Sequence, residues 1–422
     1  ALLTRAAEAS NVILIMDGLQ WCDRASLEVI NELVQAADFL PVLVILLSRP
    51  EERVLPYLGG VVRIELKGLS TQDQVRLLQA RLGAQRGVAE VCSELLPRVG
   101  GNPFFALEMM EALLERGAVE LRDTGDGTQE LHRIADGAAA QALPSTLGQL
   151  IASRLDELPV EEQQVVEWLA VAGGSLMRPA LAELTGADCA TAVNRLTERG
   201  ICDIKGETVD VRHPLTRDVA YSAIEATART AMHRRLGELL EKSAQASGLG
   251  AALVARHFAR GDDPRRAAQY YLNAGLAARA GYQLRLASRY LKRALALLPP
   301  SDILRIDAHE GLEAVARIQG RWRDRRKHLD AMRRLAKESN DPRRVATALL
   351  RTARMELEAG RLARGLNCAQ RAEQLAEQTN SPIMQVQSLS LMAEMMRDLG
   401  DMQGAVSAID RTLDIAEKGD IP

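Results

Sequence analysis

The sequence is poor in aromatic residues, cysteines and long apolar runs, and each shortage excludes a class of protein. Its five cysteines lie far apart, without a C-x-x-C pair or a nearby histidine pair, so neither a disulfide framework nor a zinc site is indicated. The longest strongly apolar run, residues 42–47, is much shorter than the roughly 20 residues of a membrane span, and the first residues do not form a signal peptide. We therefore expect a cytoplasmic protein that does not bind membranes.

An excess of one charge is also absent. The chain has 53 basic and 56 acidic residues, so no overall field draws it to nucleic acid. In contrast, 47% of its 422 residues are hydrophobic, which is enough for the cores of two to four domains. Aromatic residues make up only 3%, while alanine and leucine dominate the second half, a composition typical of stacked helices.

A short apolar segment that ends in an aspartate is the clearest functional feature of the chain. Val12–Met16 is predicted to be a central strand of a parallel sheet, buried on both faces, with Asp17 at its carboxyl end. Open α/β sheets bind ligands at that end, and P-loop ATPases present a carboxylate to Mg²⁺ in this way. The alternative is a surface acid that merely ends a strand. The partner motif G-x-x-x-x-G-K-[ST] does not occur in the sequence, so half of such a nucleotide site is missing.

The first part of the chain alternates between predicted helices and strands. We expect a helix at 25–37, strands at 42–47 and 61–66, and a helix that starts with a capping box of Ser70 and Gln74. Helices dominate from there on, and residues 121–142 are predicted to be a polar, glycine-rich loop that marks a boundary.

A predicted hairpin at 201–204 and 209–212 follows several helices, which is the order of elements in a winged-helix domain. Acidic residues are interspersed with the basic ones around this hairpin, whereas a DNA-binding surface needs cations for the phosphates. We therefore expect no direct binding of nucleic acid.

The second strong signal is a repeat of 40 residues. Gly320, Gly360 and Gly400 recur at this interval, and a proline follows each glycine after 22 residues, at positions 342, 382 and 422. An earlier copy has Ala287, Leu291 and Ala294, a small-large-small spacing that lets two helices approach closely. These features predict helical hairpins of tetratricopeptide type, with a period longer than the usual length of about 34 residues. The expected fold is mainly α, with an N-terminal α/β part and a C-terminal α-solenoid.

Four further residues are candidates for a ligand site. Arg49 follows the second strand, where it could sense a phosphate, or it could be a solvated arginine before a turn. Gly101 and Pro103 could approach an adenine, or they could simply start a helix. His213 stands before a predicted helix, where it could meet a phosphate or serve a structural role. The basic run 321–337 is interpreted as the solvent-facing side of a repeat helix, with docking of an acidic partner as the alternative.

Five segments, in order, resemble the signal-transducing ATPases with numerous domains. The resemblance is to the bacterial branch found in LuxR-type and maltose-activator-type regulators and behind kinase or cyclase domains. The resembling segments are I-L-I-M-D-G-L-Q-W-C-D (13–23), P-V-L-V-I-L-L-S-R-P (41–50), G-N-P-F-F (101–105), L-P-S-T-L-G-Q-L-I-A-S-R-L-D-E-L-P (143–159) and V-R-H-P-L-T-R-D-V-A-Y (211–221). Together with the repeats they cover nearly the whole chain.

The resemblance implies a switch in which ADP holds the molecule closed, and ATP with an inducer opens it so that copies self-associate. It also implies that Asp17 binds Mg²⁺, Arg49 senses phosphate, Pro103 lies by the adenine and His213 contacts the ADP β-phosphate. Family members usually carry a second acid where Gly18 stands, so hydrolysis is expected to be slow or absent. Without the phosphate-binding loop, the chain by itself is expected to bind no nucleotide.

The resemblance also divides the chain into four expected domains. These are the rear of a P-loop ATPase core (1–68), a helical lid (69–142), a winged-helix domain (143–228) and tetratricopeptide-like repeats (229–422). We interpret the chain as part of an ATP/ADP-controlled regulatory protein whose repeats bind a protein or small-molecule inducer. The alternative is a non-catalytic scaffold with a vestigial nucleotide site, within a larger kinase, cyclase or transcriptional regulator.

Overall fold

The chain forms two compact units, Ala1–Ala142 and Leu143–Pro422. The computed structural model describes residues 5–7, 10–22, 24–37, 39–48, 58–93, 95–124, 128–134, 146–186, 189–244 and 250–419. Helices dominate this part of the chain and the strands are confined to small sheets, so the predicted mainly α fold is confirmed. None of the helices within these ranges is both long and apolar enough to cross a membrane.

The first unit begins with a parallel pair of strands, as predicted. β1 (Val12–Met16) pairs with β2 (Val42–Leu46), and the register places the first residues of the two strands opposite each other. α1 (Arg24–Ala37) connects the strands, and its apolar side packs against one face of the pair. The buried residues of this small core are Leu19, Leu27, Ile30 and Val34.

The opposite face of this strand pair is exposed, so the prediction that β1 is buried on both faces is wrong for the described residues. Ile13 and Ile15 are 64% and 61% exposed, because alternate side chains of a strand point to opposite faces and α1 covers only one. The predicted strand at 61–66 is also wrong. The described residues 58–70 include no strand, and Val62 is 90% exposed. Apolar content alone does not supply a neighbouring strand for pairing.

Short helices and a three-stranded sheet complete the first unit. The helices are α2 (Thr71–Leu82), α3 (Val88–Cys92), α4 (Leu96–Val99) and α5 (Pro103–Glu115). Ser70 caps α2, but the residue that completes the cap is Asp73 instead of the predicted Gln74, because the Asp73 amide donates to the Ser70 hydroxyl at 3.2 Å.

The predicted loop at 121–142 is wrong where the structure describes it. β4 (Val119–Asp123) and β5 (Gln129–Arg133) form an antiparallel pair, and β3 (Ala84–Arg86) pairs with β5 in parallel. Leu131 is buried in this sheet. The strands are too short and too polar for their alternation to be recognised in the sequence. Residues 135–145 lie outside the described ranges.

The second unit begins with four helices and a small sheet. The helices are α6 (Leu147–Asp156), α7 (Val160–Ala172), α8 (Arg178–Thr185) and α9 (Ala190–Glu198). The predicted hairpin is confirmed as β7 (Cys202–Lys205) and β8 (Thr208–Val211), and β6 (Ser175–Met177) adds a third strand that the sequence did not indicate. The assignment of this region as a winged-helix domain, like the finer domain boundaries, stays a prediction.

A continuous series of helices forms the rest of the chain. In order they are α10 (Pro214–Ala223), α11 (Ala226–Ala244), α12 (Ala251–Arg260), α13 (Pro264–Ala280), α14 (Leu284–Leu297), α15 (Leu304–Ile318), α16 (Trp322–Glu338), α17 (Pro342–Glu358), α18 (Leu362–Gln378), α19 (Pro382–Asp398) and α20 (Met402–Gly419). From α13 onward they pack as consecutive pairs, which confirms the predicted helical hairpins. The position of Pro422 lies outside the described residues.

The 40-residue signature has a simple backbone explanation. Gly320, Gly360 and Gly400 have φ of 66°, 69° and 87° just after the first helix of each pair, a left-handed conformation that glycine adopts without steric cost. Pro342 and Pro382 occupy the first turn of the next repeat, where no intrahelical amide donor is needed.

Close helix packing in the first repeats depends on Leu291. Ala287, Leu291 and Ala294 are fully buried, as their spacing predicts. A Cβ atom on Gly275 or Gly311 would lie 2.7 Å or 2.9 Å from side-chain atoms of Leu291, so both glycines make room for this one leucine. Three consecutive helices thereby reach each other across a single side chain.

Candidate functional site

Asp17 lies at the carboxyl end of β1, as predicted, and its side chain is exposed. The neighbouring backbone is held firmly, because the Leu47 amide donates to Met16 O at 2.8 Å and the Gly18 amide donates to Leu47 O at 3.1 Å. The carboxylate is therefore presented at the edge where two parallel strands end. This is the position from which a Mg²⁺ ligand would act, although the described residues contain no group of three or more potential metal ligands.

Gly18 has a backbone reason to be glycine. Its φ is 79° and it precedes the short 3₁₀ turn Leu19–Trp21, so the chain passes through the left-handed region directly after the strand. An acidic residue at this position would adopt a conformation that side chains with a Cβ rarely take. The turn after β1 therefore favours glycine over a second acid at position 18.

Arg49, the predicted phosphate sensor, lies outside the described residues. Its place in the sequence still puts it just after β2, the strand paired with β1. Its role stays a prediction.

The Gly101 to Pro103 segment forms the start of a helix and a close contact of two backbone segments. The Leu69 amide donates to Gly101 O at 2.8 Å, and a Cβ on Gly101 would lie 2.8 Å from Leu69 O. The Asn102 side chain accepts from the amides of the first turn of α5, and Pro103 is in that turn. In the structure these residues therefore start a helix, which is one of the two interpretations of the sequence. Contact with an adenine stays a prediction.

His213 is the residue that precedes α10, in the second unit. Its side chain makes no capping hydrogen bond, and burial lowers the pKa of its imidazole below the usual value. The adjacent Arg212 donates from Nε and Nη2 to Asp203 Oδ1 at 2.9 Å and 2.8 Å. The cation next to His213 in the sequence is therefore paired with a carboxylate of the β7–β8 hairpin.

The candidate residues belong to three separate parts of the fold. Asp17 is at the β1–β2 edge, Gly101 and Pro103 are at the start of α5, and His213 is in the second unit. Each part is held by the backbone contacts of its own segment. Their assembly around one nucleotide stays a prediction.

The repeats expose a charged surface that is crossed by ion pairs between neighbouring hairpins. Arg344 pairs with Asp307, and Arg351 pairs with Glu310 and Glu313, over separations of 37 to 41 residues. Farther along, Arg411 Nη2 donates to Glu373 Oε1 at 2.6 Å over 38 residues. Ion pairs spaced by about one repeat tie successive hairpins together.

The basic run 321–337 is only partly the solvent-facing surface expected from the sequence. Most of its basic side chains on α16 are exposed, but Arg325 is only 3% exposed and is paired with Glu313 and Glu358. Arg325 lies on the same face of α16 as the buried Leu329 and Met332, whereas the sequence interpretation treated the whole basic run as one solvent-facing surface.

Tyr221, His233 and His257 form a chain of contacts that the sequence did not indicate. The Tyr221 hydroxyl lies 2.9 Å from His233 Nε2, and His233 Nδ1 lies 3.0 Å from His257 Nδ1. Both histidines are buried. They come from α11 and α12, 24 residues apart, and no motif spacing links them.

No protein-family model matches the sequence, and no curated protein matches it.

Several solved structures are similar to this chain over part of their length. A signal transduction ATPase with numerous domains that carries a tetratricopeptide repeat sensor, from Pyrococcus horikoshii, is 15% identical with a TM-score of 0.45. That match covers 100% of this chain and 64% of that one, so this chain spans less than two thirds of its length. Aspartyl phosphate phosphatase F from Bacillus subtilis is 11% identical with a TM-score of 0.39, over 65% of this chain and 69% of that one.

BtubC from P. vanneervenii is 13% identical with a TM-score of 0.32, over 62% of this chain and 93% of that one. At these identities and TM-scores, the likenesses assign no activity, ligand or partner to this chain.

Proposed function

We propose that this chain is a regulatory interaction module whose repeats bind a protein partner or a small inducer. The observation that carries the proposal is that the first helices of the repeats lie beside one another; we call the surface of α15, α17 and α19 the A face, and Arg344 and Arg351 join α17 to α15 by ion pairs. First helices of neighbouring repeats contact each other directly, α13 with α15 and α17 with α19. Closer spacing on one side is what curves a solenoid, and the inner side of the curve is the usual binding surface.

Ion pairs between repeats support a role in binding, because they hold the A face in one shape. On this face Arg354 Nη1 lies 3.5 Å from Glu394 Oε2, and Arg351 joins α17 to α15. A surface whose shape is fixed before binding loses less conformational entropy when a partner docks.

Site-specific photocrosslinking in the cells that produce the protein tests this proposal. A photoreactive residue replaces Arg317, Arg354 or Arg397, which are exposed on the first helices of three successive repeats. The matched positions on the second helices, Arg323, Ala363 and Gln403, are also exposed. We expect a discrete crosslinked product from the A face. Equal crosslinking from both sets, or none from the A face, would contradict the proposal.

We propose, as a second function, that nucleotide controls this module. The observation in favour is Asp17 at the carboxyl end of β1, beside the parallel β2, together with the family motifs in the same order along the chain. In this proposal Asp17 holds Mg²⁺, Arg49 and His213 contact phosphates of ATP or ADP, and Pro103 lies by the adenine. Slow turnover follows from Gly18, which cannot polarise a water molecule.

Nucleotide binding is best measured on the full-length gene product with a fluorescent ADP analogue. Asp17→Asn should abolish the Mg²⁺ dependence of binding, and His213→Ala should weaken ADP retention by about tenfold, the loss of one charge-assisted contact. Glu120→Gln, at a half-buried position on β4, is the control. If both variants kept wild-type affinity and Mg²⁺ dependence, the half-site would be vestigial and only the interaction module would stand.

A further inference from the structure

Three arginines converge around Tyr221 on consecutive helices of the second unit. The guanidinium carbons of Arg229 on α11 and Arg260 on α12 lie 4.9 Å and 6.0 Å from the centre of the Tyr221 ring. The Arg229 Nη1 group also donates to Tyr221 O at 3.2 Å. Arg256, one helical turn before Arg260, is close enough to Tyr221 for their charges to interact. We call these three arginines, with Tyr221 and His257, the Tyr221 cluster.

The positive charge of the Tyr221 cluster is not balanced by a carboxylate among the described residues. Burial lowers the pKa of His233 to about 4, and the charged groups that lower it further are Arg260, Arg256 and Arg229. Burial also lowers the pKa of His257 to about 3, with Arg256, His233 and Arg260 as the additional causes. The charged groups that act on the pKa of this histidine pair are therefore cationic, with Arg256 and Arg260 acting on both histidines.

Two buried polar atoms of the cluster have no hydrogen-bond partner among the described residues. They are Arg256 Nε and His257 Nε2, and the side chain of His257 is fully buried. If the Tyr221 hydroxyl donates to His233 Nε2, then His233 Nδ1 donates to His257 Nδ1 and His257 carries its proton on Nε2. Both unpartnered atoms are then donors, and a buried donor without a partner destabilises the fold.

Like charges gathered in a partly buried place destabilise a fold unless an anion neutralises them. Arg229 and Arg256 are half-buried and Arg260 is exposed, so a ligand can reach the cluster from solvent. A carboxylate would balance one of the three charges, whereas a phosphate group carries up to two charges and has several oxygens for guanidinium forks. The geometry and charge of the site therefore favour phosphate.

We propose that the Tyr221 cluster binds a phosphate group, with Arg229, Arg256 and Arg260 as its cationic ligands. The site lies entirely within the second unit and requires neither Asp17 nor Arg49. The site therefore stands whether or not a nucleotide binds at Asp17 and Arg49. The phosphate group comes either from free inorganic phosphate or from a nucleotide.

Thermal unfolding and calorimetric titration of this chain with sodium phosphate test the proposal. Chloride keeps the ionic strength constant, and Mg²⁺ and nucleotide are left out so that the result does not depend on the nucleotide half-site. We expect saturable binding and a rise in Tm. Arg256→Gln and Arg260→Gln should each weaken phosphate binding by about tenfold or more. Since Arg260 is exposed, its variant should fold normally.

Arg289→Gln is the matched control. Arg289 is also an exposed arginine over a tyrosine ring, 5.7 Å from the centre of Tyr290, but it lies outside the cluster. This variant should keep the wild-type affinity for phosphate. If the wild type showed no saturable binding, or if all three variants bound phosphate equally well, the proposal would be overturned.

Competition identifies the source of the phosphate group. ADP that displaces inorganic phosphate, while adenosine does not, would indicate a nucleotide phosphate. Binding of inorganic phosphate that ADP does not displace would indicate the free ion. Either result supports the site, since both require the cluster.

Discussion

Arg325 donates from Nε to Glu313 Oε1 at 2.7 Å, and both side chains are almost completely buried. The other oxygen of Glu313 accepts from Arg351 Nη1 at 2.9 Å. One carboxylate therefore links α15, α16 and α17, that is, both helices of one repeat and the first helix of the next. This network and the apolar cluster that includes Ile306, Met332 and Met355 together join the two repeats.

Removing one member of this network should strongly destabilise the array. Arg325→Met leaves Glu313 buried with one cation fewer and should lower the free energy of unfolding by roughly 3–5 kcal/mol, as measured by urea denaturation. The control is Arg333→Met, because Arg333 pairs with Asp330 at the surface at 3.3 Å. An exposed pair contributes about 0–1 kcal/mol. Equal losses in the two variants would contradict a special role for burial.

Gly101→Ala should destabilise the first unit more than Gly100→Ala. Both glycines have positive φ, 77° and 61°, so alanine is strained at either position, by about 1–2 kcal/mol. Only at Gly101 would the new Cβ also meet backbone, 2.8 Å from Leu69 O, whereas nothing lies within 4 Å at Gly100. The difference between the two unfolding free energies measures the energetic cost of placing a Cβ against Leu69 O. Identical values would show that the contact does not constrain Gly101.

Stability should fall in mild acid because several histidines are buried as neutral groups. Burial lowers the pKa of His309 to about 4, with His328 as the next cause, and lowers that of His233 to about 4. The unfolded chain takes up protons near pH 6.5, before the folded protein does, so the stabilising contribution is complete above that pH. It is lost progressively as the pH falls from 6.5 toward 4.

Each of these shifts corresponds to roughly 3 kcal/mol by pH 4. Chemical denaturation at pH 7.5, 6 and 5 measures the decline. His309→Gln should make the decline less steep, because the imidazole that is protonated first in the unfolded chain is then absent. The prediction is wrong if wild type and His309→Gln lose stability in parallel.

Alkylation should distinguish the buried cysteines from Cys22. Burial raises the pKa of Cys92 and of Cys202 to about 12, which reduces their thiolate fraction at pH 8 by about a thousandfold. Iodoacetamide should therefore modify the half-buried Cys22 first in the native protein, as read by peptide mass spectrometry. In urea the rates should converge. Fast native labelling of Cys202 would contradict the burial of β7.

The repeats could be predicted from sequence because each signal is local. A positive φ favours glycine at 320, 360 and 400, and the first helical turn accommodates proline at 342 and 382. The same backbone conformations recur in every repeat, so the same residues recur in the sequence. The β1–β2 pair was predictable for a similar reason, since a short apolar run before an acid is typical of a parallel strand. The prediction of a strand at 61–66 was wrong because a strand also needs a neighbouring strand to pair with, and the local composition of a segment does not encode that neighbour.

The sequence by itself determined the helical hairpins, the parallel strand pair and the place of Asp17 at its end, because short-range backbone preferences decide these features. Only the tertiary structure decided that Arg325 is buried, that Gly101 holds two backbone segments together, and that Arg229, Arg256 and Arg260 meet around Tyr221. Those relationships join residues on different helices and turns. Their energies depend on burial and on the distance between charges, and neither quantity can be read from spacing along the chain.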